Sequence, residues 1–205
     1  MGSERSTLVG TPVVVAPGKI FLVGEYAILE EGPAVLAAVN RHAVAQYVPG
    51  LNPMSKVVEE AVSRARAAIG EAAAALPSGS VLVDTDDLHQ GEHKLGLGSS
   101  AATAVATVGA LFETAGISIE KNRDRLLEVA LVAHRAAQRQ LGSGADVVAA
   151  VRGGLLKIAR LPVGAPTVEP LVAPAGLRLV VFWTGGAAST PRLIEAVQRF
   201  ARSSP

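Results

Sequence analysis

A chain of 205 residues that is 49% hydrophobic and 18% charged has enough apolar side chains to fold around a core, which excludes a disordered protein. Its 19 basic and 18 acidic residues leave a net charge of +1, so the composition gives no reason to expect a nucleic acid or an anionic membrane as partner. The absence of cysteine excludes disulfides and thiolate sites and fits a reducing compartment. Because the chain shows neither a membrane-spanning apolar run nor a secretory signal pattern, we expect a cytoplasmic protein.

The first half of the chain is predicted to form strands followed by one helix. Short apolar, β-branched runs predict strands at residues 11–15, 20–23, 34–39, 43–48 and 80–83. The pattern becomes helical after Ser55, a good N-cap residue, and stays so to about Ala75, just before Pro77. Residues 84–94 are predicted to be a polar connection.

The second half is predicted to be mainly helical. Helices are expected from the glycine loop at residues 96–98 to about residue 113, at 120–140 and at 145–151. A strand at residues 155–159 and a proline-punctuated linker at 162–174 follow. Residues 177–183 predict a further strand, and Thr190-Pro191 predicts the start of a helix that reaches Phe200.

The loop Gly96-Leu97-Gly98-Ser99-Ser100 precedes the first of these helices. Glycines let backbone N–H groups approach an anion, and the dipole of the following helix favours negative charge there. The loop lacks the lysine of a Walker A motif, and the polar residues before it are not the strand that a dinucleotide-binding motif requires. Taken alone, the loop is either a phosphate-binding loop or an ordinary helix-capping turn.

Three segments together resemble the GHMP family of small-molecule kinases. Residues 16–26 (APGKIFLVGEY) are similar to the family's first motif, residues 95–102 (LGLGSSAA) to its phosphate-binding loop, and residues 142–146 (GSGAD) to the segment with its catalytic aspartate. The three occur in the family's order, and the resemblance extends from about Pro12 to Phe200. It implies an ATP-dependent kinase.

Two further segments resemble the phosphomevalonate kinase branch of this family, with the mevalonate kinase branch second. Residues 133–138 (AHRAAQ) are similar to a stretch of the first branch, and no acid stands between residues 130 and 145, where mevalonate kinases have a glutamate that helps to hold Mg²⁺. Residues 183–190 also resemble the segment that opens the second domain of phosphomevalonate kinases. The acceptor implied is therefore phosphomevalonate, with mevalonate as the alternative.

The resemblance implies catalytic roles for two residues. Lys19 would be the cation beside the acceptor and the transferred phosphate, and its other interpretation is a strand-end lysine that reaches solvent. Asp146 would be the acid-base residue, and its other interpretation is a helix N-cap. A mevalonate hydroxyl needs a base, whereas a phosphomonoester is already largely dianionic at neutral pH, so with phosphomevalonate Asp146 would orient the acceptor and balance charge.

The resemblance also implies binding roles. Tyr26 stands where mevalonate kinases have a substrate-facing histidine, and it is either an acceptor contact or an aromatic side chain packed beside the strand. His134 is interpreted as structural. The acceptor-binding residues are expected to be Lys19, Tyr26, Ser143 and Gly144; Mg²⁺ is expected at Ser100; and the ATP phosphates are expected at Gly96, Leu97, Gly98, Ser99, Ser100 and Ala101.

The implied fold is α+β. Residues 1–175 would form the GHMP kinase N-terminal domain, with a left-handed βαβ crossover, and residues 176–205 would form the first strand and helix of an incomplete, ferredoxin-like C-terminal domain. The partner is expected to be a small molecule, and the chain either forms a homo-oligomer or lacks a C-terminal half. A truncated nucleotide-binding protein without turnover stays open as a second class, and a dinucleotide-dependent oxidoreductase is a distant third.

Overall fold

The structure, a computed structural model, describes residues 10–138, 142–159 and 166–185, together with residues 193, 196–197, 199–200 and 203. Within residues 10–138, 142–159 and 166–185, the chain forms a five-stranded antiparallel sheet, a two-stranded hairpin and four α-helices. This arrangement confirms the predicted α+β class. Among the described helices, none is long and apolar enough to span a membrane.

The sheet is organised around one long strand. β1 (Val13–Val23) pairs along one edge of β2 (Pro33–Pro49). Along the other edge, β3 (Gly79–Asp84) pairs with the C-terminal half of β2 and β6 (Leu155–Ala159) with its N-terminal half. The sheet ends at β7 (Thr167–Leu171), which pairs with β6. All four pairings are antiparallel.

The prediction of two strands in place of β1, and of two more in place of β2, is wrong. Both runs continue because they pair with each other, and the register shift between Pro17 and Lys19 absorbs the Pro-Gly step. Pro17 is tolerated because β1 pairs only with β2 among the described strands, which makes it an edge strand. A Cβ on Gly18 would lie 2.6 Å from the Leu97 carbonyl oxygen, so only glycine lets β1 pass the loop this closely.

The helices begin close to where the sequence predicts them. α1 (Lys56–Ile69) has the predicted cap, since Ser55 Oγ accepts a hydrogen bond of 3.4 Å from the Val58 N–H. α1 ends earlier than predicted because Gly70, at φ 72°, turns the chain into a 3₁₀ segment, Gly70–Ala75. The remaining helices are α2 (Ser99–Thr114), α3 (Arg123–Ala137) and α4 (Ala145–Arg152).

Helix α2 is the centre of the core. All twelve of its residues from Ala101 to Phe112 are buried, as expected for a helix that is apolar on every side. It packs against the sheet so closely that a Cβ on Gly109 would lie 2.9 Å from Val14 Cγ1. A second, smaller cluster joins α4 to β2 and β6 through Val148, Leu36 and Leu156. Helices α2 and α4, whose first turns carry the two predicted functional segments, are therefore anchored by buried side chains.

Three further element predictions need correction. The predicted polar connection at 84–94 contains a 3₁₀ turn, Asp86–Leu88, and the hairpin of β4 (His89–Gln90) and β5 (His93–Lys94). The predicted linker contains β7, which was not predicted because of the prolines around it. It pairs with β6, and Lys157 and Glu169 form a salt bridge of 3.0 Å between the two strands. Residues 177–183 are not a strand, because no described strand pairs with them.

Other predictions stay untested. Thr190 and Pro191 lie outside the described residues, although residues 193, 196–197 and 199–200 are helical. The left-handed crossover, the domain boundary at residue 175 and the ferredoxin-like character of the second domain also stay predictions.

Candidate active site

The glycine loop has the backbone geometry that only glycine adopts easily. Gly96 and Gly98 have φ angles of 78° and 76°, and Gly98 is the N-cap of α2. The loop is tied to β1 because the Lys19 N–H donates a 2.8 Å hydrogen bond to the Leu97 carbonyl oxygen. The loop therefore caps α2, as the interpretation as a capping turn predicted. It also lies at the N-terminus of a long buried helix, as a phosphate-binding loop requires.

Lys19 connects this loop to a cavity. Its aliphatic chain packs on Gly98, where a Cβ would lie 3.0 Å from Lys19 Cε and 3.1 Å from Lys19 Cγ. Its Nζ lies 4.7 Å from the centre of the Phe21 ring, which provides a cation–π contact. The lysine thus extends from the loop into the cavity, which argues against a strand-end side chain that simply reaches solvent.

Asp146 is held at the start of α4. The N-cap of this helix is Gly144, at φ 80°, so the interpretation of Asp146 as the N-cap is wrong. Asp146 Oδ1 instead accepts a 3.0 Å hydrogen bond from the Val147 N–H, and Ser143 Oγ accepts one of 3.3 Å from the Ala145 N–H. The backbone at Gly144 favours glycine mainly through its φ of 80°, and a Cβ there would also displace Leu131 Cδ2, which would lie 2.6 Å away.

One cavity of about 120 Å³ brings the predicted acceptor residues together. β1 and the turn after it contribute Lys19 and Tyr26, and the turn into α4 contributes Ser143, Gly144 and Asp146. The volume is below the roughly 300–1,000 Å³ of typical ligand pockets, so the cavity suits only the reacting end of a small acceptor. A cation and a carboxylate that are more than a hundred residues apart in the chain therefore meet at one site.

Sequence reasoning missed other residues that line this cavity. Glu25 immediately precedes Tyr26 in the first motif, and Gln138 ends the AHRAAQ segment, so both could have been found from their motifs. Two of the others also belong to the quoted motifs, whereas the places of Leu29 and Leu193 depend on tertiary packing that no sequence pattern predicts. The two in the motifs are Phe21 and Gly142.

Tyr26 keeps its proton in this environment. Partial burial, together with the nearby carboxylate of Glu25, raises the pKa of the Tyr26 phenol above its ordinary value of 10.0. The hydroxyl is therefore protonated at neutral pH and can donate a hydrogen bond into the cavity. Because the side chain lines the cavity, an acceptor contact is favoured over a purely packed aromatic side chain.

A second cavity, of about 810 Å³, is lined in part by the glycine loop. Gly96 and Leu97 form part of its wall, and residues 181–184 form another part. Trp183 stacks near His93, with ring centres 5.8 Å apart, and its buried Nε1 has no hydrogen-bond partner among the described residues. The segment that was predicted to be a strand thus contributes to a pocket beside the loop.

The remaining loop residues lie at the entrance to α2. Ser99 and Ser100 are half-buried in its first turn, and Ala101 is buried beneath them. In the described part of the chain, no group of three His, Asp or Glu side chains is arranged to hold a metal ion.

These features define an α+β domain in which a glycine loop at a helix N-terminus adjoins a small cavity with a lysine and an aspartate. Residues 56–154 match the N-terminal domain of GHMP kinases. This match agrees with the resemblance to the GHMP kinase family that the sequence motifs indicated.

Known relatives carry two different kinase names. The chain is 30% identical to a phosphomevalonate kinase of Streptomyces sp. strain CL190, over 90% of this chain and 64% of that protein. It is 29% identical to a mevalonate kinase of Thermococcus gammatolerans, over 93% of this chain and 62% of that protein. The chain therefore spans less than two thirds of the length of these relatives.

A solved structure supports the fold independently. A crystal structure of a protein from Listeria innocua superposes with a TM-score of 0.73 at 22% identity, and the match covers 94% of this chain and 66% of the other. At this identity the similarity concerns the fold alone. It shows that the arrangement of sheet and helices that positions the loop and the cavity occurs in a known protein structure.

Proposed function

We propose that this chain is the nucleotide-binding and catalytic part of a mevalonate-pathway kinase that transfers the γ-phosphate of ATP to phosphomevalonate. The observation that carries the proposal is the position of Lys19. Its aliphatic chain packs on Gly98 of the loop, and the residue also lines the cavity that contains Asp146. Phosphoryl transfer depends mainly on placing donor and acceptor together and on neutralising charge between them, which a lysine at this point does.

The loop residues fit the phosphates of ATP. The backbone conformation at Gly96 and Gly98 leaves no Cβ between the N–H groups and an approaching anion, and the N-terminus of α2 favours negative charge. The 810 Å³ cavity beside the loop is of a size that suits the nucleoside portion. We assign the phosphates to residues Gly96, Leu97, Gly98, Ser99, Ser100 and Ala101.

Ser100 is the residue that we propose for the magnesium ion. It lies in the first turn of α2, directly after the loop, so its hydroxyl is placed next to the proposed phosphate positions. A bound Mg²⁺ would neutralise charge on the phosphate oxygens. The hydroxyl oxygen of serine is a ligand type that this ion accepts, so the residue fits the role.

The small cavity would hold the reacting end of the acceptor. Lys19 offsets the repulsion between the two anions, and the protonated Tyr26 hydroxyl donates a hydrogen bond. Ser143 and Gly144 shape the wall, and Asp146 orients the acceptor. Because a phosphomonoester is already largely dianionic at neutral pH, this acceptor does not need Asp146 as an obligatory base.

Phosphomevalonate is preferred to mevalonate for two reasons. The AHRAAQ segment that resembles phosphomevalonate kinases contributes Gln138 to the cavity wall, and Tyr26 stands there instead of the histidine of mevalonate kinases. Mevalonate is the second candidate because relatives with that name match almost the whole of this chain. For this acceptor Asp146 would have to remove the hydroxyl proton.

A single comparison tests the proposal. Purified chain, alone and supplied with the C-terminal half of a phosphomevalonate kinase, is incubated with radiolabelled ATP and with phosphomevalonate, mevalonate or homoserine in parallel. Transfer to phosphomevalonate at least tenfold faster than to the others is expected, and faster transfer to mevalonate would select the second candidate. If ATP binds in equilibrium titrations but no acceptor is phosphorylated in either format, the chain is a nucleotide-binding protein without turnover.

A further inference from the structure

A buried histidine lies behind the proposed catalytic aspartate. His134, on α3, is only 2% exposed, and its Nε2 has no hydrogen-bond partner among the described residues. This nitrogen faces the carboxylate of Asp146, whose Oδ2 lies 3.9 Å away. An unpaired polar atom in such a buried position is costly and uncommon, so its direction calls for a physical reason.

The two oxygens of Asp146 have different surroundings. Oδ1 accepts a hydrogen bond from the Val147 N–H, which belongs to the same helix as Asp146. Oδ2 faces His134, which belongs to a different helix. A second contact, from α3 to Oδ2, would restrict rotation of the carboxylate about its Cβ–Cγ bond and fix its plane.

The present separation is close to a hydrogen bond without being one. An N–H···O bond to a carboxylate has a length of about 2.8 Å, so the 3.9 Å between Nε2 and Oδ2 must shorten by roughly 1 Å. The Asp146 side chain is 24% exposed whereas that of His134 is 3% exposed, so the aspartate is the partner with room to move. Catalytic hydrogen bonds are often longer in the ligand-free state and tighten when substrate binds.

We propose that His134 is a positioning residue for Asp146, donating its Nε2–H to Oδ2 and thereby holding the carboxylate towards the cavity. The inference deepens the proposed function and rests on it for its kinetic consequences. His134 does not itself line the cavity, so it acts through Asp146 and not on the acceptor. Both the Nε2–H tautomer and the imidazolium form of histidine can make this bond.

Kinetics with paired substitutions tests the role. His134→Phe keeps a planar ring but loses the donor, and we expect kcat to fall to about the level of Asp146→Asn with the same acceptor, while the KM for ATP stays within about twofold. His134→Gln places an amide N–H near the position of Nε2 and is expected to recover most of the lost kcat. When Asp146→Asn is already present, His134→Phe should add no further loss, because residues that act as a unit are not additive.

Leu126→Ala is the control for a general loosening of α3. Leu126 is buried in the same helix and does not line the cavity, so this substitution should lower the thermal midpoint without the same loss of kcat. Equal losses for His134→Phe and His134→Gln, or a similar kcat loss for Leu126→Ala, would reduce His134 to a packing residue and overturn the inference.

A measurement without turnover separates this inference from the proposed function. Long-range ¹H–¹⁵N spectra report which ring nitrogens of the four histidines carry protons, and His134→Gln identifies the His134 signals. We expect a proton on Nε2 and a shift of these signals in Asp146→Ala that exceeds the shifts of the other three histidines. An Nε2 without a proton, or His134 signals that do not shift in Asp146→Ala, would overturn the contact even in an active kinase. The expected spectra in a chain without kinase activity would support the contact and reject the function.

Discussion

Replacing Gly98 by alanine should damage the site in two separable ways. Gly98 has a φ of 76°, a conformation that costs an L-residue about 1–2 kcal/mol. The new Cβ would also lie 3.0 Å from Lys19 Cε and 3.1 Å from Lys19 Cγ, so the lysine chain must move by a few tenths of an ångström. The first effect lowers stability, and the second displaces the cation that we place between ATP and the acceptor.

Two other glycines provide matched controls for Gly98→Ala. Gly96 has a φ of 78°, but a Cβ there would meet no atom within 4 Å, so Gly96→Ala brings the same strain to the loop without touching Lys19. Gly116 has a φ of 76°, and a Cβ there would also meet no atom within 4 Å. It lies just beyond the C-terminal end of α2, away from the loop. Gly116→Ala therefore reports the cost of the backbone strain alone.

All three variants should lose about 1–2 kcal/mol, which corresponds to a decrease of about 2–8 °C in the thermal midpoint of a chain of this size. In calorimetric titrations, Gly116→Ala should bind ATP normally, and the two loop variants should bind it at least about tenfold more weakly because a Cβ obstructs the approach of phosphate. At saturating ATP, Gly98→Ala should have the lower kcat of the two. Unchanged ATP affinity in Gly98→Ala would show that the loop is only a capping turn.

Three other outcomes are expected. Asp146→Asn should lower kcat by about a hundredfold or more if the acceptor is a hydroxyl that needs a base, and only mildly if it is a phosphomonoester. ATP affinity should be unchanged in both cases. Steady-state kinetics with each acceptor distinguishes these results, and an unchanged kcat would show that Asp146 takes no part in the chemistry. Gly109→Ala should destabilise the fold by about 1–3 kcal/mol because its Cβ would meet Val14 Cγ1 at 2.9 Å; denaturant unfolding should show that Val14→Ala relieves part of this loss, and additive losses would contradict the packing argument. Finally, the chain alone should self-associate, because residues 177–182 expose apolar side chains such as Phe182, which is 82% exposed; light scattering that shows a monodisperse monomer would refute this.

Local sequence patterns were sufficient to predict where the helices begin and to propose much of the site. The Ser55 cap, the glycines before α2 and α4, and the apolar character of α2 depend on a residue and its near neighbours, so their structural consequences are predictable. The resemblance of three motifs supplied Lys19, Asp146 and the proposed acceptor contacts. The structure brings these acceptor residues to one cavity, and this is the part of the site prediction that the geometry supports most directly.

Strand boundaries could not be predicted in the same way, because a strand exists only with its partner. β1 and β2 continue through residues that predict breaks since each satisfies the hydrogen bonds of the other. β7 forms in a proline-rich stretch because β6 lies beside it, whereas residues 177–183, which have the stronger strand pattern, have no described partner and remain irregular. Pairing therefore overrides propensity in both directions.

Glycine spacing, apolar pattern and motif order are local features of the chain, so they were enough to predict an α+β domain that resembles the N-terminal domain of GHMP kinases. The contacts of the side chains could be seen only in the folded protein. The packing of Lys19 on Gly98 and the burial of His134 behind Asp146 join segments that are distant in the chain. Such contacts follow from how α2, α3 and α4 pack against the sheet, because a side chain's neighbours depend on the whole fold and not on its local sequence.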